Sequence, residues 1–264
     1  ERDSFLNMED FMNSKDKVAL ITGSGSGIGR SAAIHLLNDG YSVTLTGRRL
    51  EPLKETAQLS NATEEKICIV QTDVSDSDAI AKLFKTSQDR FGRLDVLFNN
   101  AGIGAPPLVD LEDLSLGDWQ KVVDVNLTGS FLCAQHAINI MKSQQPMGGR
   151  IINNGSISAY VPRPYSVAYT ATKHAVLGLT KSISLDCRKY NIACSQIDIG
   201  NASTPLTRRM EEGIIQADGN KMVEPTFDVD HAGSTILHMS NLPLDTNIQT
   251  VTIMATNMPY IARG

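Results

Sequence analysis

Two side chains able to move a proton, Tyr169 and Lys173, stand four residues apart. The segment 167–188 reads as a helix, and residues four apart lie on one helix face. An ammonium held beside a phenol favours the phenolate, which suits the tyrosine to acid–base work near neutral pH. Thirteen residues upstream, Ser156 follows the strand-like run 151–153. Ligands of parallel sheets bind at the carboxyl ends of strands, so this hydroxyl is placed to hydrogen-bond a substrate oxygen. The Tyr–Lys spacing alone proves little, because most such pairs are solvated surface pairs.

A glycine loop is the second chemical signal. Thr22-Gly23-Ser24-Gly25-Ser26-Gly27-Ile28-Gly29 follows the apolar run 18–22. After it, Ile28, Ala32, Ala33, Leu36 and Leu37 recur at helical spacing. Glycines turn tightly and let a ligand approach the backbone. A helix starting there offers unpaired N–H groups and a positive dipole end, which suit a pyrophosphate. Strict GxGxxG spacing is absent, since the sixth position from Gly25 is Arg30; the loop reads TGxxxGxG. Such a loop alone also fits a strand–helix turn that binds nothing.

The elements that must hold these groups alternate along the chain. Strand-like runs at 18–22, 41–46, 67–70, 96–98, 151–153, 192–197 and 250–254 are separated by helical stretches at 49–59, 79–91, 119–141 and 167–188. Gly40 reads as the stop of the first helix. This alternation places the chain in the α/β class: a doubly wound parallel sheet of about seven strands with helices on both faces. Residues 1–17 read as a polar N-terminal extension and 18–264 as a single domain, a size one core can serve. The polar stretch 201–223 lacks strand signals and reads as a lid or substrate loop.

Composition excludes several classes. A net charge of -5 argues against general affinity for nucleic acid or anionic membrane. No apolar run is long enough to span a membrane, and 1–17 lacks the apolar core of a secretory signal, so the expected location is the cytoplasm. Cys68, Cys133, Cys187 and Cys194 show no metal or disulfide spacing and read as free thiols. His35, His136, His174, His231 and His238 form no metal-spaced set, so no metal is expected. Arg163, Arg208 and Arg209 could meet an anionic substrate, but such arginines are more often solvated or paired. Tyr160, Val161, Pro162 and Tyr165, between Ser156 and Tyr169, could line a partly apolar pocket.

Five motifs in one order make a stronger signal. TGxxxGIG over 22–29, Asn99-Asn100-Ala101-Gly102, Asn126, Ser156 and Tyr169-x-x-x-Lys173 resemble the short-chain dehydrogenase/reductase family, from about residue 18 to 204. The resemblance implies a Rossmann-like, dinucleotide-binding catalytic domain. It also implies hydride transfer between a nicotinamide cofactor and a carbonyl or secondary alcohol, with Tyr169 as acid/base. Gly23, Ser26, Gly27, Ile28 and Gly29 would hold the dinucleotide, with Asp73 and Val74 at the adenine. Asn100, Ala101 and Gly102 would pack against the cofactor, as would Gly200, Ala202 and Thr204. Lys173 would reach the nicotinamide ribose, Ser156 would orient the substrate oxygen, and Asn126 would hold a water in a proton relay. A homotetramer or homodimer is implied, with the helices at 119–141 and 167–188 in an interface. The family usually has Pro-Gly after the sixth strand; here Ile199 precedes Gly200. Proline would fix φ and remove an N–H, so the change bears on loop stiffness and not on reaction class.

Cofactor preference can be read at the end of the second strand, Thr46-Gly47-Arg48-Arg49. NAD-binding folds usually carry an acid about 20 residues beyond the glycine loop, on the adenosine ribose. Gly47 stands there instead, and the Arg48 guanidinium next to it suits a 2′-phosphate. NADP(H) is therefore expected over NAD(H), which stays possible because Glu51 lies close by. A non-catalytic dinucleotide-binding regulator on the same fold is the alternative. An α/β-hydrolase is disfavoured, because Asn154-Gly155-Ser156-Ile157-Ser158 lacks GxSxG.

Overall fold

A computed structural model describes residues 16–261. Most of the polar extension therefore lies outside the described residues. Seven strands form one parallel sheet: β1 (Val18–Thr22), β2 (Ser42–Gly47), β3 (Ile67–Gln71), β4 (Val96–Asn99), β5 (Gly149–Asn154), β6 (Ile192–Gly200) and, after the hairpin described below, β9 (Thr250–Met254). Their order is β3-β2-β1-β4-β5-β6-β9, with every neighbouring pair parallel. Strand order reverses direction between β1 and β4, which opens the crevice where such folds bind ligands.

Side chains alternate between the sheet's faces, so adjacent apolar residues serve different cores. Leu20, Leu97 and Ile151 pack with Phe84, Cys133, Ala137 and Ile183 on one face. These come from α3 (Ser77–Phe91), α5 (Gly129–Ser143) and α6 (Val167–Asp186). Ile21, Phe98 and Ile152 pack with Leu36, Leu53 and Ile236 on the other, from α1 (Gly27–Asp39), α2 (Leu50–Leu59) and α8 (Val229–Asn241). Buried on both faces, the inner strands need the nearly continuous apolar runs that the sequence shows, while the edge strands β3 and β9 are only partly buried.

Helix ends follow local chemistry. Gly40 takes φ 105 and its N–H bonds Leu36 and Leu37 carbonyls, closing α1 as expected. The Asp76 carboxylate accepts the Asp78 and Ala79 N–H groups, so α3 starts two residues before the apolar pattern does. The helix expected over 119–141 runs unbroken from Leu116 to Ser143: α4 (Leu116–Val123) and α5 are its two α-helical parts, and a π-helical turn at Asp124–Thr128 continues one into the other. The stretch 201–223 holds α7 (Arg208–Glu212) and an antiparallel hairpin of β7 (Ile214–Ile215) and β8 (Lys221–Met222). Strands of two residues carry no periodicity, which is why the sequence shows none there. Where a proline was expected, β6 runs on through Ile199 to Gly200, in register with Ile253 and Met254.

Candidate active site

Two cavities meet at the carboxyl ends of the strands. The first, about 310 Å³, lies over the glycine loop. Gly23 and Gly27 take φ of 67 and 54, which a side chain would strain. A Cβ on Gly29 would sit 2.3 Å from the Gly23 carbonyl, so α1 could not pack this close to β1 with any other residue. Ser26 makes no side-chain cap, and the first turn of α1 holds no acid. Its first turn therefore brings a positive dipole end to the cavity with no acid of its own to offset it, a fit for a dinucleotide's diphosphate.

Most residues assigned to the cofactor gather here. Gly23, Ser26, Gly27, Ile28 and Arg48 line one part of the cavity, and Asp73, Val74, Asn100, Ala101, Gly102 and Thr204 another. Gly200 lines the second cavity instead, while buried Ala202 lines neither. Burial works against ionisation of Asp73, but hydrogen bonds from Ser75 and the charge of Arg48 hold its carboxyl below the usual range.

Tyr169 lines both cavities, with Lys173 in the first and Ser156 in the second. Their shared geometry comes from a polar chain that the sequence reading missed. The Lys173 Nζ lies 5.4 Å from the centre of the Tyr169 ring and donates to the Asn154 carbonyl at 2.7 Å. The Asn154 Nδ2 donates to Asn100 Oδ1 at 3.0 Å. Asn100 Nδ2 donates to the Thr22 carbonyl at 2.9 Å, and the Asn100 and Ala101 N–H groups donate to Thr22 Oγ1. Lys173 is thus tied to the glycine loop through three strand ends. Asn154 was readable only as a polar residue closing an apolar strand.

Ser156 accepts the Ser158 N–H at 3.0 Å, which leaves its own O–H free to donate. Asn126 sits in the π-turn and lines neither cavity; its amide bonds both backbone groups of Ile103 and lies 3.3 Å from the Thr172 hydroxyl. His174 is exposed and turned to the Thr170 carbonyl, as a structural reading requires. Arg163 follows the paired reading, bound bidentately to buried Glu224.

The second cavity, about 360 Å³, is walled by Ile157, Ile199, Met210, Ile214 and Ile215. Burial alone would push the Glu224 carboxyl up, but hydrogen bonds from Arg163, Asn201 and Gln216 and the Arg163 charge hold it down at about 2. That cluster fastens the 201–223 stretch to the cavity wall. Of the residues between Ser156 and Tyr169, Tyr165 lines this cavity and Tyr160 does not.

The short chain dehydrogenase model matches residues 17–214, three quarters of the chain. This chain belongs to the short-chain dehydrogenase family. It is an oxidoreductase, and the family works with NAD(P). A 3beta-hydroxysteroid dehydrogenase of Mediterraneibacter gnavus is 38% identical over 200 residues, 75% of this chain and 71% of that protein. Levodione reductase matches with a TM-score of 0.80 and 27% identity, over 91% of this chain and 96% of the other. A 3-ketoacyl-(acyl-carrier-protein) reductase of Brucella melitensis, complexed with NADH, has a TM-score of 0.79 over 91% and 97% of the two chains; at 24% identity it shows the fold. Among the described residues, no His/Cys/Asp/Glu group could hold a metal, no helix could cross a membrane, and all four cysteines are free.

Proposed function

We propose that residues 18–264 form one catalytic unit that interconverts a bulky, largely apolar ketone and its secondary alcohol, using NADP(H) in preference to NAD(H). The observation that carries the reading is Tyr169 lining both cavities, with Lys173 in one and Ser156 in the other. When bound, the nicotinamide supplies or accepts the hydride. Ser156 donates its free O–H to the substrate oxygen and fixes it beside Tyr169. The Tyr169 phenol gives that oxygen its proton during reduction and takes it back during oxidation. The Lys173 ammonium stands 5.4 Å from the Tyr169 ring centre, and its bond to Asn154 keeps it in place. Asn126, anchored on Ile103, holds the water that passes the proton outward. The apolar walls exclude water and select an apolar body.

Cofactor preference rests on charge. Arg48 is exposed at the rim of the first cavity, and Asp73 is the one carboxylate among the described residues lining it. Glu51 is turned to Lys54 at 2.8 Å. Exposed Phe131 on α5 and Leu185 on α6 support a homodimer or homotetramer through those helices. The four cysteines are free, which fits a reducing compartment, the cytoplasm.

The test follows NADPH and NADH oxidation with cyclic ketones that include levodione and a 3-ketosteroid, in parent and Tyr169→Phe. Turnover by the parent with loss in the variant is expected. Equal rates would remove Tyr169 from the reaction, and an inert parent would remove the substrate class.

A further inference from the structure

Asp198, near the end of β6, is fully buried, and no cation pairs with it within ion-pair distance among the described residues. Removing a carboxylate from water costs roughly several kcal/mol, so its partners should show what the expense secures. Its Oδ1 accepts the Ser156 N–H at 2.8 Å and the Gln196 Nε2–H at 2.8 Å, and its Oδ2 accepts the Tyr160 hydroxyl at 3.0 Å. Ser156 and Tyr160 flank the single helical turn Ile157–Ala159 that follows β5. One carboxylate therefore ties both ends of that turn to the neighbouring strand.

The surroundings are built to accommodate it. Gln196 is itself oriented, with its Oε1 3.2 Å from the Thr180 hydroxyl, so its donor end faces Asp198. Thr180 accepts from Asn153 at 2.9 Å, and Asn153 accepts from Asn99 at 2.9 Å. A buried polar chain thus crosses β4, β5, α6 and β6 and ends on Asp198. A Cβ on Gly155 would fall 2.1 Å from Asp198 Oδ1, so the residue before Ser156 must be glycine for the carboxylate to stand there. Burial pushes the Asp198 carboxyl up, while its three donors and the Lys173 charge oppose this.

We propose that Asp198 is a positioning residue for Ser156: by holding the Ser156 peptide N–H it fixes the turn whose cap aims the Ser156 hydroxyl at the substrate oxygen. The proposal rests on the reading of Ser156 given above. Asp198 itself lines neither cavity and acts only through the serine. Asn at this position keeps an Oδ1 for both N–H donors and can donate to Tyr160; Ala keeps nothing.

The test is a double-mutant cycle on kcat with the ketone panel, using Asp198→Ala, Asp198→Asn, Ser156→Ala and Ser156→Ala/Asp198→Ala, with hydrogen exchange of the Ser156 amide alongside. D198A is expected to lower kcat about 10–100-fold, the scale of a misplacement of about 1 Å. It should leave cofactor affinity unchanged, and the double variant should lose no more than S156A. The Ser156 amide should lose protection in D198A and keep it in D198N, whose kcat stays near the parent's. Additive losses, an amide still protected in D198A, or a D198N loss as large as that of S156A each overturn the proposal. If D198A fails to fold, the D198N comparison decides. A parent inert toward every ketone overturns the functional reading and this role with it, while a working parent with additive variants overturns this role alone.

Discussion

Glu224→Gln tests whether the wall of the substrate cavity is latched electrostatically. Glu224 is 1% exposed and bonds Arg163, Asn201 and Gln216, so it joins the segments before α6, after β6 and in the hairpin. Its carboxyl lies at about 2 instead of the usual 4.5. At about 1.36 kcal/mol per pH unit, that difference stabilises the latched state by about 3 kcal/mol at neutral pH. The sign follows from the depressed value: the stabilisation is complete above 4.5 and is lost as pH falls toward about 2. Glutamine keeps one acceptor and leaves the guanidinium unpaired, a change of the same order. The readout is native-state exchange of the Gln216 amide, which bonds Asn220 across the hairpin turn. Its protection should fall about two orders of magnitude in the variant at neutral pH, and the gap should shrink by about 2 kcal/mol on acidification to about pH 3. KM should rise with it, because Arg163 and Asn201 line the cavity. A variant whose hairpin stays within about 0.5 kcal/mol of the parent refutes the latch.

Three further predictions concern the chemistry and the thiols. Tyr169→Phe should bind cofactor as the parent does and lose about 10²–10⁴-fold in kcat, read by steady-state kinetics; parental turnover removes the assigned role. The parent should show higher kcat/KM with NADPH than with NADH, and Gly47→Asp/Arg48→Ala should lose or reverse that preference; an NADH-favouring parent sinks the charge argument. Burial pushes the Cys133 thiol up to about 12 and Cys194 up as well. The native thiols should therefore resist alkylation, and replacing all four by serine should spare kcat; a collapse of kcat in the folded variant contradicts this.

The inner sheet was legible because burial on both faces forces its strands into apolar runs, and Leu20–Ile21, Leu97–Phe98 and Ile151–Ile152 serve opposite cores. The glycine loop was legible because Gly23, Gly27 and Gly29 each meet a steric demand that only glycine satisfies. What stayed hidden depends on partners distant in sequence. Asn154 gains its role from Asn100, and Asp198 from Ser156, across separations of 54 and 42 residues. A lone polar residue at a strand end carries no spacing signal. The π-turn between α4 and α5 was hidden too, since it continues the helix and leaves the apolar pattern on both sides intact.

This division has a physical basis. The parts that sequence spacing picks out, Tyr169, Lys173 and the glycines, are placed by rules within one element: a helix face or a strand–helix turn. The parts that hold them in mutual register lie between elements, where β5 meets β4 and β6. Lys173 lies on α6, yet its ammonium is held by β5 and, through Asn100, by the loop after β1. A helix alone would place Tyr169 and Lys173 on one face but would leave their distance to the first cavity free. Three strand ends bonded to one another remove that freedom. The sequence therefore names the proposed reacting groups through local spacing, while their alignment with the first cavity is set by asparagines whose only signature is their contact in the folded chain.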